Sequence, residues 1–212
     1  MSPVQGYGGA SGRRYLLAWA WLPLLLTVVV RTGWLAAYPV DPLGAIDPEG
    51  FHLLAVNLLD GKGFAIGWEP PLCPTAVRTP LYPLFVAGMY ALLGRLPERV
   101  VLLQVLLEVL TTALVMALVR ELQLGRGAAV AESSRRRHHG HRDFLPGGGM
   151  FLAGMLYAVN GLTPRFTGYL YAETFLLPLL SGALLLSLRT LRKPGTERSI
   201  PAGWAWGLVL LT

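Results

Sequence analysis

Residues Val100–Leu122 read VVLLQVLLEVLTTALVMALVREL. Only Gln104, Glu108, Thr111 and Thr112 interrupt the apolar run from Val100 to Val119. A helix of about 20 apolar residues is the length that crosses the hydrocarbon core of a bilayer. Gln104, Glu108 and Thr111 fall at i, i+4 and i+7, which is one stripe of that helix. Polar groups at membrane depth are expensive, so the stripe is expected to face other helices and bond to them.

Working outward, similar blocks occur at about 15–37, 147–163 and 170–188, and another begins near Ile200. Pro, Gly and Arg clusters separate them. Hydrophobic residues make up 53% of the 212 positions and charged residues 14%. A soluble domain carries about 25% charged residues, so the composition points away from one. The fold class read from this pattern is all-α, a polytopic membrane helical bundle; the alternative is a soluble all-α bundle. The block at 15–37 follows Arg13 and Arg14 but contains Pro23 and lacks a clear small-x-small cleavage site, so it reads as a retained first span. The segment from Ile200 to Thr212 is 13 residues long, short of the ~20 a span needs. The expectation is therefore an N-terminal fragment whose fifth span has just begun, or else a short interfacial helix.

The net charge of +6 comes from a chain whose cations are mostly arginine. They sit between the apolar blocks and serve as topology signals rather than a nucleic-acid surface; no nucleic-acid partner is expected. With the N-terminus cytoplasmic, twelve cations fall on the inner segments and six on the outer ones, as the positive-inside rule favours. The long stretch from Tyr38 to Arg99 then faces outward. Cys73, the single cysteine, can form no internal disulfide. His138, His139 and His141 lie among arginines, which repel a metal ion, and read as a solvated inner loop touching anionic headgroups.

The outer stretch has its own pattern. Phe51, Leu54, Ala55, Leu58 and Leu59 form one apolar helical face, with Asp47 before and Gly61 after. This predicts a short capped helix along the membrane surface. Leu81–Leu93, between Thr79-Pro80 and Gly94, predicts a second surface helix. Making it a span instead would invert everything downstream, against the charge count.

On these residues the chain resembles the membrane-embedded GT-C type glycosyltransferases, a group that includes the protein O-mannosyltransferases and the aminoarabinose transferases of lipid A. The matching text is Asp47-Pro-Glu-Gly-Phe51, then Leu58-x-x-Gly61-x-Gly63-Phe64, then Arg78-x-Pro80-x-Tyr82-Pro83. Tyr171-Ala172-Glu173-Thr174 is similar to the family's Thr-Glu-Thr at the start of the fourth span, with Ala172 in place of the first Thr. The resemblance implies transfer of a sugar from a polyprenyl-phosphate donor to an acceptor at the outer surface of a bacterial inner or plasma membrane. Family members are usually more than twice this length. The partners implied are the lipid-phosphate-linked sugar and membrane lipids. A divalent metal cofactor is left open, since no ligand set is legible.

Such a transfer needs a base for the acceptor hydroxyl and electrostatic stabilisation of the leaving phosphate. The resemblance makes Asp47 the catalytic residue; its spacing alone makes it a helix cap. A carboxylate at the lipid boundary is desolvated, which raises its pKa and makes it a stronger base. Arg78 is a candidate for the donor phosphate, since a guanidinium forms two parallel hydrogen bonds, or for a structural ion pair. Tyr82 could bond a sugar or anchor at the interface. Glu173, at the mouth of a span, is a candidate substrate-binding residue, with Arg165 as a salt-bridge partner. Glu49 complements the helix dipole, and Asp41 is a turn residue. The competing readings are a non-catalytic membrane subunit or truncated remnant, and a transporter or flippase.

Overall fold

The computed structural model describes residues 11–39, 41, 47, 49–67, 69, 71–134 and 148–212, and not the side chains of 11–18, 126–134, 164 and 165. The His138–His141 cluster and the Arg165 side chain fall outside the described part. The described chain is helical, apart from two strands of two residues each.

The element order is α1 (Ser11–Ala37), α2 (Phe51–Leu59), β1 (Ala65–Ile66), β2 (Cys73–Pro74), α3 (Leu81–Leu93), α4 (Pro97–Ser134), α5 (Gly148–Ala158), α6 (Thr163–Thr167), α7 (Glu173–Arg192) and α8 (Thr196–Leu211). Three helical segments, Trp19–Ala37, Pro97–Gly125 and Glu173–Arg192, are long and apolar enough to cross a membrane. The α4 helix runs well past Leu122. At 1.5 Å per residue it is about 57 Å long, nearly twice a hydrocarbon core of about 30 Å. Pro97 opens it, at the position where a missing N–H costs nothing and a fixed φ suits the first turn.

Along α4, large apolar side chains are exposed while most of the polar stripe is buried with part of the apolar face. Leu102, Leu106 and Leu110 point outward, while Gln104, Glu108, Thr111 and Thr112 are buried. On α1, Trp19, Trp21, Leu25 and Val29 are exposed, whereas Thr27 and Arg31 are buried. It is the arrangement that a lipid surround favours, because there only the bundle interior can satisfy polar groups.

The third predicted span, 147–163, forms differently. Its helix α5 ends at Ala158 and a separate turn, α6, begins at Thr163. At 11 residues, α5 extends only about 16 Å. The cause is visible at its end, where Arg31 donates to the carbonyls of Tyr157 (3.4 Å) and Ala158 (3.1 Å). A helix end leaves its last carbonyls without partners, and a buried cation satisfies them with favourable dipole alignment. Gln104 does the same for the segment after α5, donating to the carbonyls of Thr167 (3.4 Å) and Tyr169 (2.8 Å).

The two predicted surface helices form as α2 and α3 and pack on each other. Phe51, Ala55, Tyr82, Val86, Ala87 and Tyr90 build a core completed by Val100 of α4 and by Leu170, with Phe175 of α7 packed against it. The buried face of α2 is rotated from the expected one. Leu53 and Asn57 are buried and Leu59 is exposed, because the β1–β2 hairpin covers the Asn57 side. The Asn57 amide donates to the carbonyls of Ala65 (2.8 Å) and Gly67 (3.1 Å), which binds the hairpin to the helix. The last helix, α8, begins at Thr196 rather than Ile200 and runs antiparallel to α7. Trp206 donates to Ser187 at 3.0 Å, and the end of α8 meets the α2–α3 region where the Thr79 hydroxyl donates to the Thr212 carbonyl.

Candidate active site

The Pro-Gly-rich segment before α2 carries the backbone feature on which the site is built. Asp47 has a φ of 49°, a left-handed conformation that non-glycine residues rarely adopt and that Asp tolerates better than most. The Asp47 carbonyl accepts the Gly50 N–H at 2.8 Å, closing a tight turn. Gly50, with a φ of 74°, is the residue directly ahead of α2. Asp47 is therefore not the N-cap itself, as its spacing had indicated. It reaches in from three residues upstream, and its Oδ2 accepts the Leu53 N–H at 3.0 Å.

Asp47 is 9% exposed. Burial pushes its carboxyl above the ordinary value of 3.8, and the Leu53 N–H and the nearby His52 oppose that rise only in part. His52 is itself pushed down from 6.5, mainly by burial, and its Nδ1 lies 2.8 Å from the Tyr90 hydroxyl.

Arg78, from the loop ahead of α3, lies on the same turn. Its Nε donates to the Glu49 carbonyl at 3.0 Å, and its Nη2 pairs with Glu49 Oε2 at 2.5 Å. The guanidinium carbon sits 5.6 Å from the Phe51 ring centre. Of the two roles expected for Arg78, the ion pair is formed, with Glu49 as its partner. About a third of each side chain stays in contact with solvent.

Tyr82 lies beneath this layer. It is completely buried, edge-on to Phe51 at 4.8 Å between ring centres, and its hydroxyl donates to Gln104 Oε1 at 3.2 Å. Burial, then the neighbouring Tyr90, Asp47 and Glu173, pushes its phenol well above the ordinary range. In this arrangement Tyr82 supports the site from within and is not presented to a ligand. Glu173 is exposed at the first position of α7. Two residues on, Phe175 stacks on Phe85 at 4.5 Å, which holds the α7 N-terminus against α3. Asp47, Arg78 and Tyr82 thus converge on Phe51, and Glu173 joins them through Phe175. Asp41 is exposed.

A second polar centre lies within the helices. Arg31 and Glu108 are both completely buried and paired at 3.2 Å. Glu108 Oε2 also accepts from Arg31 Nε (3.3 Å) and from the Tyr157 hydroxyl (3.0 Å), and Arg31 donates to the Thr163 hydroxyl. One turn away on each helix, the Thr27 and Thr112 hydroxyls meet at 2.8 Å. The stripe Gln104–Glu108–Thr111 predicted the α4 side of this network. By sequence Arg31 counts only as one of the six cations on the outer segments and their borders. The signal that could have found it is a lone arginine in one apolar block and a lone glutamate in another, two opposite charges that lipid forces together. His52 carried no comparable signal.

Among the described residues, no group of three or more His, Cys, Asp or Glu could hold a metal ion. No protein-family model, curated protein or solved structure matches the chain.

Proposed function

We propose that the chain carries the acceptor-activating site of a membrane glycosyltransferase, which moves a sugar from a polyprenyl-phosphate donor to a hydroxyl at the outer membrane surface. The observation that carries this reading is Asp47: a nearly buried carboxylate, raised above its usual range, on a left-handed turn at the end of an apolar helix set. Strained backbone is retained where its surroundings hold it, and such positions cluster at functional sites. A raised carboxylate is the better base for an alcohol. Arg78, aligned by Glu49 two residues from Asp47, supplies a cation for the donor's phosphate. Glu173 lies within electrostatic range of the same aromatic cluster and is open to solvent, suited to hydrogen-bonding a sugar hydroxyl. The membrane lipids around α1, α4 and α7 would present the donor's polyprenyl chain to this end of the bundle.

The test is transfer of labelled sugar from a polyprenyl-phosphate donor in membranes carrying the wild type or Asp47→Asn. Asparagine keeps an oxygen for the Leu53 N–H and is expected to fold and insert normally. Transfer should fall by about 100-fold or more, the scale of a lost general base. Undiminished transfer by Asp47→Asn would remove the catalytic assignment.

A transporter is the second reading, favoured by the Arg31–Glu108 pair, because ionisable groups within spans mark substrate paths in many carriers. Against it, Arg31 is already bonded to Glu108, Thr163 and two backbone carbonyls. Uptake of solute into sealed vesicles without any sugar donor would favour transport.

A further inference from the structure

At the end of α7 opposite Glu173, a second charged surface is assembled from three elements. Arg189 and Arg192 reach from the last turn of α7 to Glu121 of α4, at 3.3 and 2.6 Å. The Arg192 guanidinium lies directly over Gly125, where a Cβ would come within 2.5 Å of its Nη2. The turn into α8 folds back onto this pair. Arg198 Nη1 donates to the Lys193 carbonyl at 3.2 Å, and the Thr190 hydroxyl donates to the Arg198 carbonyl at 3.0 Å. Arg120, Lys193 and Arg198 are exposed on the same rim.

Five cations therefore stand against two carboxylates, Glu121 and Glu197, within residues 120–125 and 189–198. Glu121 engages Nε of Arg189 and Nη1 of Arg192, which leaves Nη1 and Nη2 of Arg189 and Nη2 of Arg192 outside those bonds. The depth of this rim follows from length. The 20 residues of α7 extend about 30 Å, one hydrocarbon thickness, so a helix with Glu173 at one boundary carries Arg189 and Arg192 to the other. There the surface meets lipid headgroups.

We propose that this rim is a seat for the phosphate of anionic phospholipid headgroups. Guanidinium groups held by a carboxylate present paired N–H donors to a second anion, and clustered cations at a membrane boundary attract anionic lipid. The seat does not depend on the transfer reaction. It depends only on α7 crossing the bilayer.

The experiment uses the full chain in mild detergent. Lipid retained after exchange is measured by native mass spectrometry, and thermal unfolding is followed in parallel. Dioleoyl phosphatidylglycerol and dioleoyl phosphatidylcholine are compared, with soluble glycerol phosphate as the third arm. The wild type is expected to retain the anionic lipid over the zwitterionic one by roughly tenfold. Lys193→Gln/Arg198→Gln, which leaves the Glu121 bonds intact, should lower that preference severalfold at unchanged helix content. Arg189→Gln/Arg192→Gln should lower it further. Equal retention of the two lipids, or a preference unchanged in both variants, would overturn the proposal. Stabilisation by glycerol phosphate equal to that by phosphatidylglycerol would overturn the assignment to lipid and leave a free-phosphate site.

Discussion

Asp47 holds a φ of 49° and is nearly buried while its carboxylate serves the first turn of α2. Two pH dependences of opposite sign follow from its raised pKa. The unfolded value is about 3.8 and the folded one lies above it. Folding is thus favoured by protonation of this group, a contribution complete below the unfolded value and lost as pH rises through the folded one. Under the proposed transfer, activity runs the other way, because a base must be ionised. The acid limb of kcat/KM is expected above the ordinary aspartate value, and a limb at or below it would mean that Asp47 is not the titrating base. The second prediction at this scale concerns Arg31 and Glu108. Replacing either with leucine strands a buried charge and should cost about 3–5 kcal/mol, whereas Arg31→Leu/Glu108→Leu together should recover much of the loss. Thermal unfolding of the four proteins in detergent, arranged as a double-mutant cycle, measures the coupling.

Among the elements, α5 shows how sequence length misleads. Its apolar block was long enough to suggest a span, yet the helix stops at Ala158, where Arg31 takes its terminal carbonyls. Its packing depends on Gly154. A Cβ there would come 2.7 Å from Met116 Sδ on α4 and 2.8 Å from Pro23 Cβ on α1. Small residues let helices approach closely where lipid supplies no hydrophobic driving force. Gly154→Val should separate α5 from α1 and α4 and lower the melting temperature by several degrees, consistent with about 1–3 kcal/mol of overpacking. An unchanged melting temperature would mean that the three helices do not meet at this position. The α2 face shifted for a related reason. Asn57 is polar and reads as solvent-facing, but two carbonyls of the hairpin give it partners when buried.

For the whole molecule, the decisive prediction concerns orientation, and the chain supplies its own probe. Cys73 is the single cysteine and is exposed on β2, in the stretch that the charge distribution puts outside. A membrane-impermeant maleimide should label it in intact cells, or in spheroplasts if an outer membrane intervenes. Labelling that requires lysis would invert the orientation and with it the side of the Asp47 site.

The sequence alone determined the helical character, the apolar blocks, the polar stripe on α4 and the short pair α2 and α3, because each rests on local periodicity and composition. It also marked Asp47, Arg78, Tyr82 and Glu173, which fall on elements that meet at Phe51 and Phe175. Their individual situations were decided only by the tertiary structure. Whether Tyr82 is exposed depends on Phe51 and Gln104, which lie 31 and 22 positions away in the sequence. Whether Arg78 is paired depends on a turn at Glu49, and where α5 ends depends on Arg31 in another helix. Burial and ion pairing are properties of neighbours in space, and local periodicity carries no information about which distant residue will be the neighbour.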